Sequence, residues 1–237
     1  MMRKLNLGKT IIITGLISMM AMSTIYAAEE KVASSLDGDE VTYDMKTGEM
    51  EAKGHVLLTN GDSKATGDVA TFNTKTKAGT IKGNVLAISG DMRLTADICT
   101  SDGNEHMVAE GDVHATKADK TYSGPRVDYY QSNSYILMDR GGEITSTAGD
   151  VFRADRMEGW SDKNIAKGVG NAYVKSPSQD LEAGGNTVDY YGKVKGSDEP
   201  GKAILTGNAW AYQDNNTLKS EKLTIILSDE GEAQVGE

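Results

Sequence analysis

Three histidines, His55, His106 and His114, and a single cysteine, Cys99, are the side chains of this 237-residue chain best suited to hold a metal or attack a substrate. No two of them stand at the spacing of a zinc site. His55 reads as a solvated polar residue at a strand edge. Cys99 occupies the place that Val41 and Ala70 take elsewhere, an inward one, so it reads as a small buried hydrophobe rather than a reactive thiol. Aspartates recur at Asp39, Asp68, Asp97 and Asp155. Recurrent aspartate marks a calcium solenoid only within a Gly-Gly-x-Gly-x-Asp nonapeptide, which is absent. Spacing alone does not exclude a carboxylate pair acting on polysaccharide. A catalytic pair breaks repeat symmetry, however, and these residues recur, so they read as turn chemistry at strand starts. No Gly-x-Ser-x-Gly elbow, phosphate loop or dinucleotide fingerprint occurs. The expectation is a chain that is not an enzyme, with no catalytic residue, metal or cofactor.

What positions these residues is an internal repeat. Gly38-Asp39, Val41, Tyr43, Lys46-Thr47-Gly48 and Gly54-His55-Val56 return as Gly67-Asp68, Ala70, Phe72, Lys75-Thr76-Lys77 and Gly83-Asn84-Val85, a period of 29 residues. Degraded copies follow around Ala96-Asp97 to Gly111-Asp112-Val113, Gly124 to Gly142-Glu143-Ile144, Ala154-Asp155 to Gly170-Asn171-Ala172, and Gly184 to Gly207-Asn208-Ala209, with a partial one from Leu218. Each copy alternates apolar and polar residues around a turn, as in Val41 and Tyr43 against Glu40, Thr42 and Asp44, which predicts two half-buried antiparallel strands. The Gly-Asn and Gly-Asp pairs fall where the second strand must bend or bulge.

After each such glycine one face is apolar and mostly small: Val56 and Leu58, Val85 and Ala87, Val113 and Ala115, Ile144 and Ser146, Ala172 and Val174, Ala209 and Ala211. The other face is mixed, with Leu57, Leu86, His114, Thr145, Tyr173 and Trp210. A slip of one residue would exchange the faces, so the pattern fixes the register. On the first strands, Val41, Tyr43, Phe72, Val127, Tyr129 and Val188 share the inward face. In Tyr129-Tyr130 and Tyr190-Tyr191 one ring is expected inside and the other out.

Residues 1–27 read as a secretory signal: Arg3, Lys4 and Lys9, a short apolar run from Ile11 to Met22, and Ile25-Tyr26-Ala27 before the cut. The run is too short for a comfortable ~20-residue membrane span. From Ala28 onward 22 basic residues face all 35 acidic ones, a formal charge of −13. That argues against nucleic acid and against docking on an anionic membrane surface. Residues 28–237 read as one all-β domain, with Gly192 to Gly201 its longest loop-like insertion.

With Gly-Asp-Glu-Val-Thr-Tyr at 38–43, Lys-Thr-Gly at 46–48 and Gly-Asn-Val at 83–85 in place, the chain from about residue 36 to 237 resembles the OstA-like family of lipopolysaccharide transport proteins, most closely its periplasmic bridge member. The resemblance implies an open twisted β-jelly roll, a V-shaped trough of repeated antiparallel strand pairs. It implies a periplasmic protein that carries lipopolysaccharide from the inner to the outer membrane. The partners it implies are the lipid A acyl chains, inner-membrane LptC-like and outer-membrane LptD-like jelly-roll domains, and further copies joined end to end, but no nucleic acid. The lipid-binding groove is then Val41, Tyr43, Val56, Leu58, Phe72, Val85, Ala87, Val113, Ala115, Val127, Tyr129, Ile144, Ala172, Val174, Val188, Ala209 and Ala211. Free sheet edges near Leu36 to Tyr43 and Leu223 to Val235 would accept strands from neighbours. An LptC-like or LptD N-terminal-type component of the same pathway is the alternative; no C-terminal barrel pattern supports full-length LptD. A β-solenoid polysaccharide-active enzyme or adhesin, and a structural scaffold, are readings of other classes.

Overall fold

The computed structural model describes residues 34–60, 62–117, 119–160, 163, 165–192 and 200–227, and the backbone of 233–236. The signal-like segment 1–27 and residues 193–199 of the expected insertion lie outside the described residues. The chain divides into two compact units, one ending at Arg140 and the other beginning at Gly141.

The first unit holds β1 (Ser34–Asp37), β2 (Glu40–Asp44), β3 (Glu49–Asn60), β4 (Ser63–Asn73), β5 (Gly79–Ser89), β6 (Met92–Ser101), β7 (His106–Lys117), β8 (Lys120–Tyr130) and β9 (Tyr135–Met138). From β2 to β9 each strand pairs antiparallel with the next, while β1 pairs with the far half of β3. The second unit holds β10 (Gly142–Ser146), β11 (Val151–Ala154), β12 (Arg156–Trp160), β13 (Ile165–Ser176), β14 (Leu181–Tyr191), β15 (Gly201–Gln213), β16 (Asn216–Leu227) and β17 (Ala233–Gly236). There β11 and β12 pair with successive halves of β13, and β13 to β17 follow in order. The fold is all-β and antiparallel, and the first three sequence copies supply one strand pair each.

The expected bends are β-bulges. On β3, Gly54-His55 both take positive φ, +70° and +46°, and the register with β4 shifts between Lys53 and Val56. Gly83-Asn84, Gly111-Asp112, Gly170-Asn171 and Gly207-Asn208 repeat this on β5, β7, β13 and β15. Two left-handed residues in succession need glycine first and tolerate Asn, Asp or His second. The strand before each bulge places an acidic or amide side chain beside the glycine. An added Cβ at Gly83 would lie 2.7 Å from Asp68 Cβ, and one at Gly207 would lie 2.9 Å from Asn186 Cβ. The second bulge residue then reaches across: His55 Nδ1 lies 2.8 Å from Asp39 Oδ2, and Asn171 Nδ2 donates to Asp155 Oδ2 at 2.8 Å. The Asp39 and Asp155 amides donate to the Gly54 and Gly170 carbonyls, both at 2.9 Å. The expectation of turn chemistry at strand starts holds for Asp39 and Asp155, bends immediately before β2 and β12, and is corrected for Asp68 and Asp97, which lie mid-strand and line the kink. His55 is likewise part of a bulge, exposed but partnered.

The fourth copy departs from the others. Its expected bend at Gly142-Glu143 is a complete break: β9 stops at Met138, Gly141 takes φ +84°, and β10 starts afresh at Gly142. That break falls where one unit ends and the next begins.

Candidate functional site

The apolar face is the candidate site, and alternation built it as expected. In the first unit Val56, Val85, Ala87, Val113, Ala115 and Val127 are buried; in the second Ile144, Ala172, Val188, Ala209 and Ala211 are buried. Leu58, Phe72, Tyr129 and Val174 are half-buried. Val41 and Tyr43 instead stand 45% and 50% exposed on β2. They pair with Ala52 and Met50 of β3, so they share the face but lie at its uncovered end.

Much of the packing on this face comes from residues that scoring of the second strands alone passes over. Met92, Leu94, Tyr122, Leu205 and Ile225 are among the largest fully buried side chains, and they sit on β6, β8, β15 and β16. Their signal was the same alternation on the partner strands. Cys99, on β6, is buried too, and burial pushes its thiol up to about 12. Ser146, the polar exception in the pattern, is answered by its hairpin: it donates to Asp150 at 2.8 Å, and buried Ser176 donates to the other Asp150 oxygen at 2.8 Å.

In the first unit one cavity opens on this face, lined by Leu58, Ala65, Phe72, Gly79 and Ile81 among others. Ala65 and Phe72 lie seven residues apart on β4, about 23 Å along a straight strand. Both line the same small space, so the sheet doubles back across the bulge and its two arms face each other within this unit. The cavity holds about 50 Å³, well under the ~150 Å³ that accommodates a benzene. Around this cavity the apolar face is filled largely by its own side chains.

The opposite face of the first unit carries a polar network. Arg126 donates to Asp128 Oδ1 from Nη2 at 2.8 Å and to Glu110 Oε1 from Nη1 at 2.8 Å; His106 Nε2 lies 2.7 Å from Asp128 Oδ1, and its ring stacks on Tyr130. Burial pushes the Asp128 carboxyl up, but Arg126 and His106 outweigh it and hold the group below the usual carboxylate range. Alternating charge on β8, Arg126 then Asp128, was the available sequence signal. Both side chains are already committed to one another, which is the arrangement of a structural pin. Among the described residues no group of three His, Cys, Asp or Glu side chains could hold a metal.

The family model described as "LptA/(LptD N-terminal domain) LPS transport protein" matches residues 64–224, more than half of the chain. The chain belongs to this family. Within the lipopolysaccharide transport family, the matched span runs from β4 to β16 and covers four of the five Gly-Asn-type bulges in full. A solved structure of LptH, described as the LptA homologous periplasmic component of the lipopolysaccharide transport device from Pseudomonas aeruginosa, is similar at 14% identity, with a TM-score of 0.28, over 59% of this chain and 83% of that one. No curated protein matches by sequence.

Proposed function

We propose that the chain is a periplasmic bridge that carries lipopolysaccharide from the inner to the outer membrane, with the acyl chains of the lipid held against the apolar face. Membership of the lipopolysaccharide transport family supports the pathway. The observation that carries the rest is the run of Val and Ala side chains along every strand pair, repeated in each unit. Each methylene taken from water onto that face contributes about 0.8 kcal/mol. The first-unit cavity is too small for an acyl chain, so loading there requires the arms of the sheet to part. The small side chains suit this: Ala87 and Ala115 lose little contact on separation compared with Leu or Phe. The bulges, where each strand already bends, are the natural hinges. The role is transport rather than catalysis, and the signal-like segment 1–27 agrees with export.

The exposed Val41 and Tyr43 at the uncovered end support docking of similar jelly-roll domains, LptC-like, LptD-like or a second copy, strand to strand. In the second unit β17 pairs with Thr224–Leu227 of β16, so the expected edge at Leu223 to Val235 is partly covered; the exposed residues of β16 are Asn216–Lys222. The family description also names the LptD N-terminal domain, and a component of that type is the second reading. Purification from cells, followed by mass spectrometry of bound lipid, tests the proposal. Lipopolysaccharide should accompany the protein; delipidated protein that takes up none on incubation would overturn it.

A further inference from the structure

Four rings occupy equivalent inward positions at the end of the first strand of a copy: Tyr43, Phe72, Tyr129 and Tyr190. Their hydroxyl groups meet four different fates. Tyr43 is 50% exposed, so water serves it. Phe72 has no hydroxyl, which proves that the sheet accepts a bare ring at this place. Tyr129 is bonded to Ser134. Tyr190 is only 7% exposed, and its hydroxyl has no hydrogen-bond partner among the described residues. Its cross-strand neighbours are Ala166 and Ala203, both buried and neither able to offer a side-chain acceptor. A buried polar group left unpaired costs stability, so folding alone would favour phenylalanine here, as at Phe72. The other deeply buried tyrosine, Tyr122, does have a partner.

We propose that the Tyr190 hydroxyl is a binding subsite on the apolar face, which takes a hydroxyl carried along a fatty-acyl chain and so discriminates hydroxylated from plain acyl cargo. The subsite deepens the reading of this face as the acyl-binding surface and rests on it. A phenol can donate to or accept from a hydroxyl, so that group completes it. In an apolar surround that bond has no competing water, and a chain lacking the oxygen leaves the phenol unpaired. Selectivity then comes from the penalty for the wrong ligand as much as from the gain with the right one.

The test uses the full chain and two probes, a hydroxylated saturated fatty acid and the same acid without its hydroxyl, with binding read by displacement of a fluorescent fatty acid. Wild-type protein should bind both and prefer the hydroxylated chain by about two- to tenfold, the worth of one net hydrogen bond. Tyr190→Phe should bind both alike, with a melting temperature equal to wild type or higher. Tyr122→Phe, at a buried tyrosine that is not without a partner, should melt lower and keep the preference. Equal binding of the two probes by wild type overturns the subsite but leaves the apolar face as an acyl site. Binding of neither overturns both. A Tyr190→Phe melting temperature that falls as Tyr122→Phe does would show that the hydroxyl already has a structural partner, and would overturn the subsite too.

Discussion

Two glycines of the first unit allow the bulge device to be weighed. Gly83 and Gly90 both have positive φ, +82° and +57°, so alanine at either is strained by about 1–2 kcal/mol. Only Gly83 faces a neighbour: an added Cβ would meet Asp68 Cβ at 2.7 Å and its carboxylate oxygen closer still, whereas at Gly90 nothing lies within 4 Å. Asp68 Cβ is fixed to β4, so relief requires the strand itself to move, an overpacking cost of about 1–3 kcal/mol. Gly83→Ala should therefore destabilise by about 2–5 kcal/mol and Gly90→Ala by about 1–2 kcal/mol. Urea unfolding followed by far-ultraviolet circular dichroism measures both in the same transition. With a slope of about 1–3 kcal/mol per molar, the midpoints should differ by roughly 1 M. Equal midpoints for the two variants would refute the account of the kink as a glycine held against an aspartate.

Three further outcomes follow from particular side chains. Arg126→Gln leaves Asp128 buried beside His106 alone and should cost about 3 kcal/mol at neutral pH. Wild-type Asp128 has its carboxyl held below the ordinary range, so its stabilisation is present above that range and is lost as pH falls through the folded-state value; the gap between wild type and variant, read from urea midpoints, should close in acid. Cys99, buried with its thiol pushed up to about 12, should resist alkylation at mildly alkaline pH until the protein is unfolded, as mass spectrometry of the treated chain would record. Tyr43→Asp, on an exposed position of β2, should change stability by no more than about 0.5 kcal/mol yet weaken strand-to-strand association with a neighbouring jelly-roll domain, measured by co-purification of a tagged copy.

Much of this structure was legible in the chain itself. Alternation around Val56, Val85, Val113 and Ala209 gave the inward face, because a buried strand face must repeat every second residue. Gly83-Asn84 and its relatives gave the bulges, because few other residues tolerate two left-handed conformations in a row. The role of the aspartates was harder to see. Asp39 with His55, Asp68 with Asn84 and Asp155 with Asn171 are each 16 residues apart, and that spacing recurs in the sequence. It acquires meaning only once the register brings the two strands together. The break at Gly141 was hidden because Gly142-Glu143-Ile144 mimics the bulge motif; one residue decides whether a glycine bends a strand or ends it. The polar network of Arg126, Asp128 and His106 was legible only as alternating charge, which solvated strand faces also show. The orphan hydroxyl of Tyr190 depends on what its neighbours lack, and no local pattern records that.

The central claim is that lipid lies on one face of these strand pairs and not on the other. Photo-crosslinking residues placed singly at Phe72 and Ile144, on the apolar face, and at Leu86 and Thr145, on the opposite face, test it in living cells. Crosslinks to lipopolysaccharide from the first two positions and none from the second two are the expected result; equal labelling from both faces, or labelling only from Leu86 and Thr145, would contradict it.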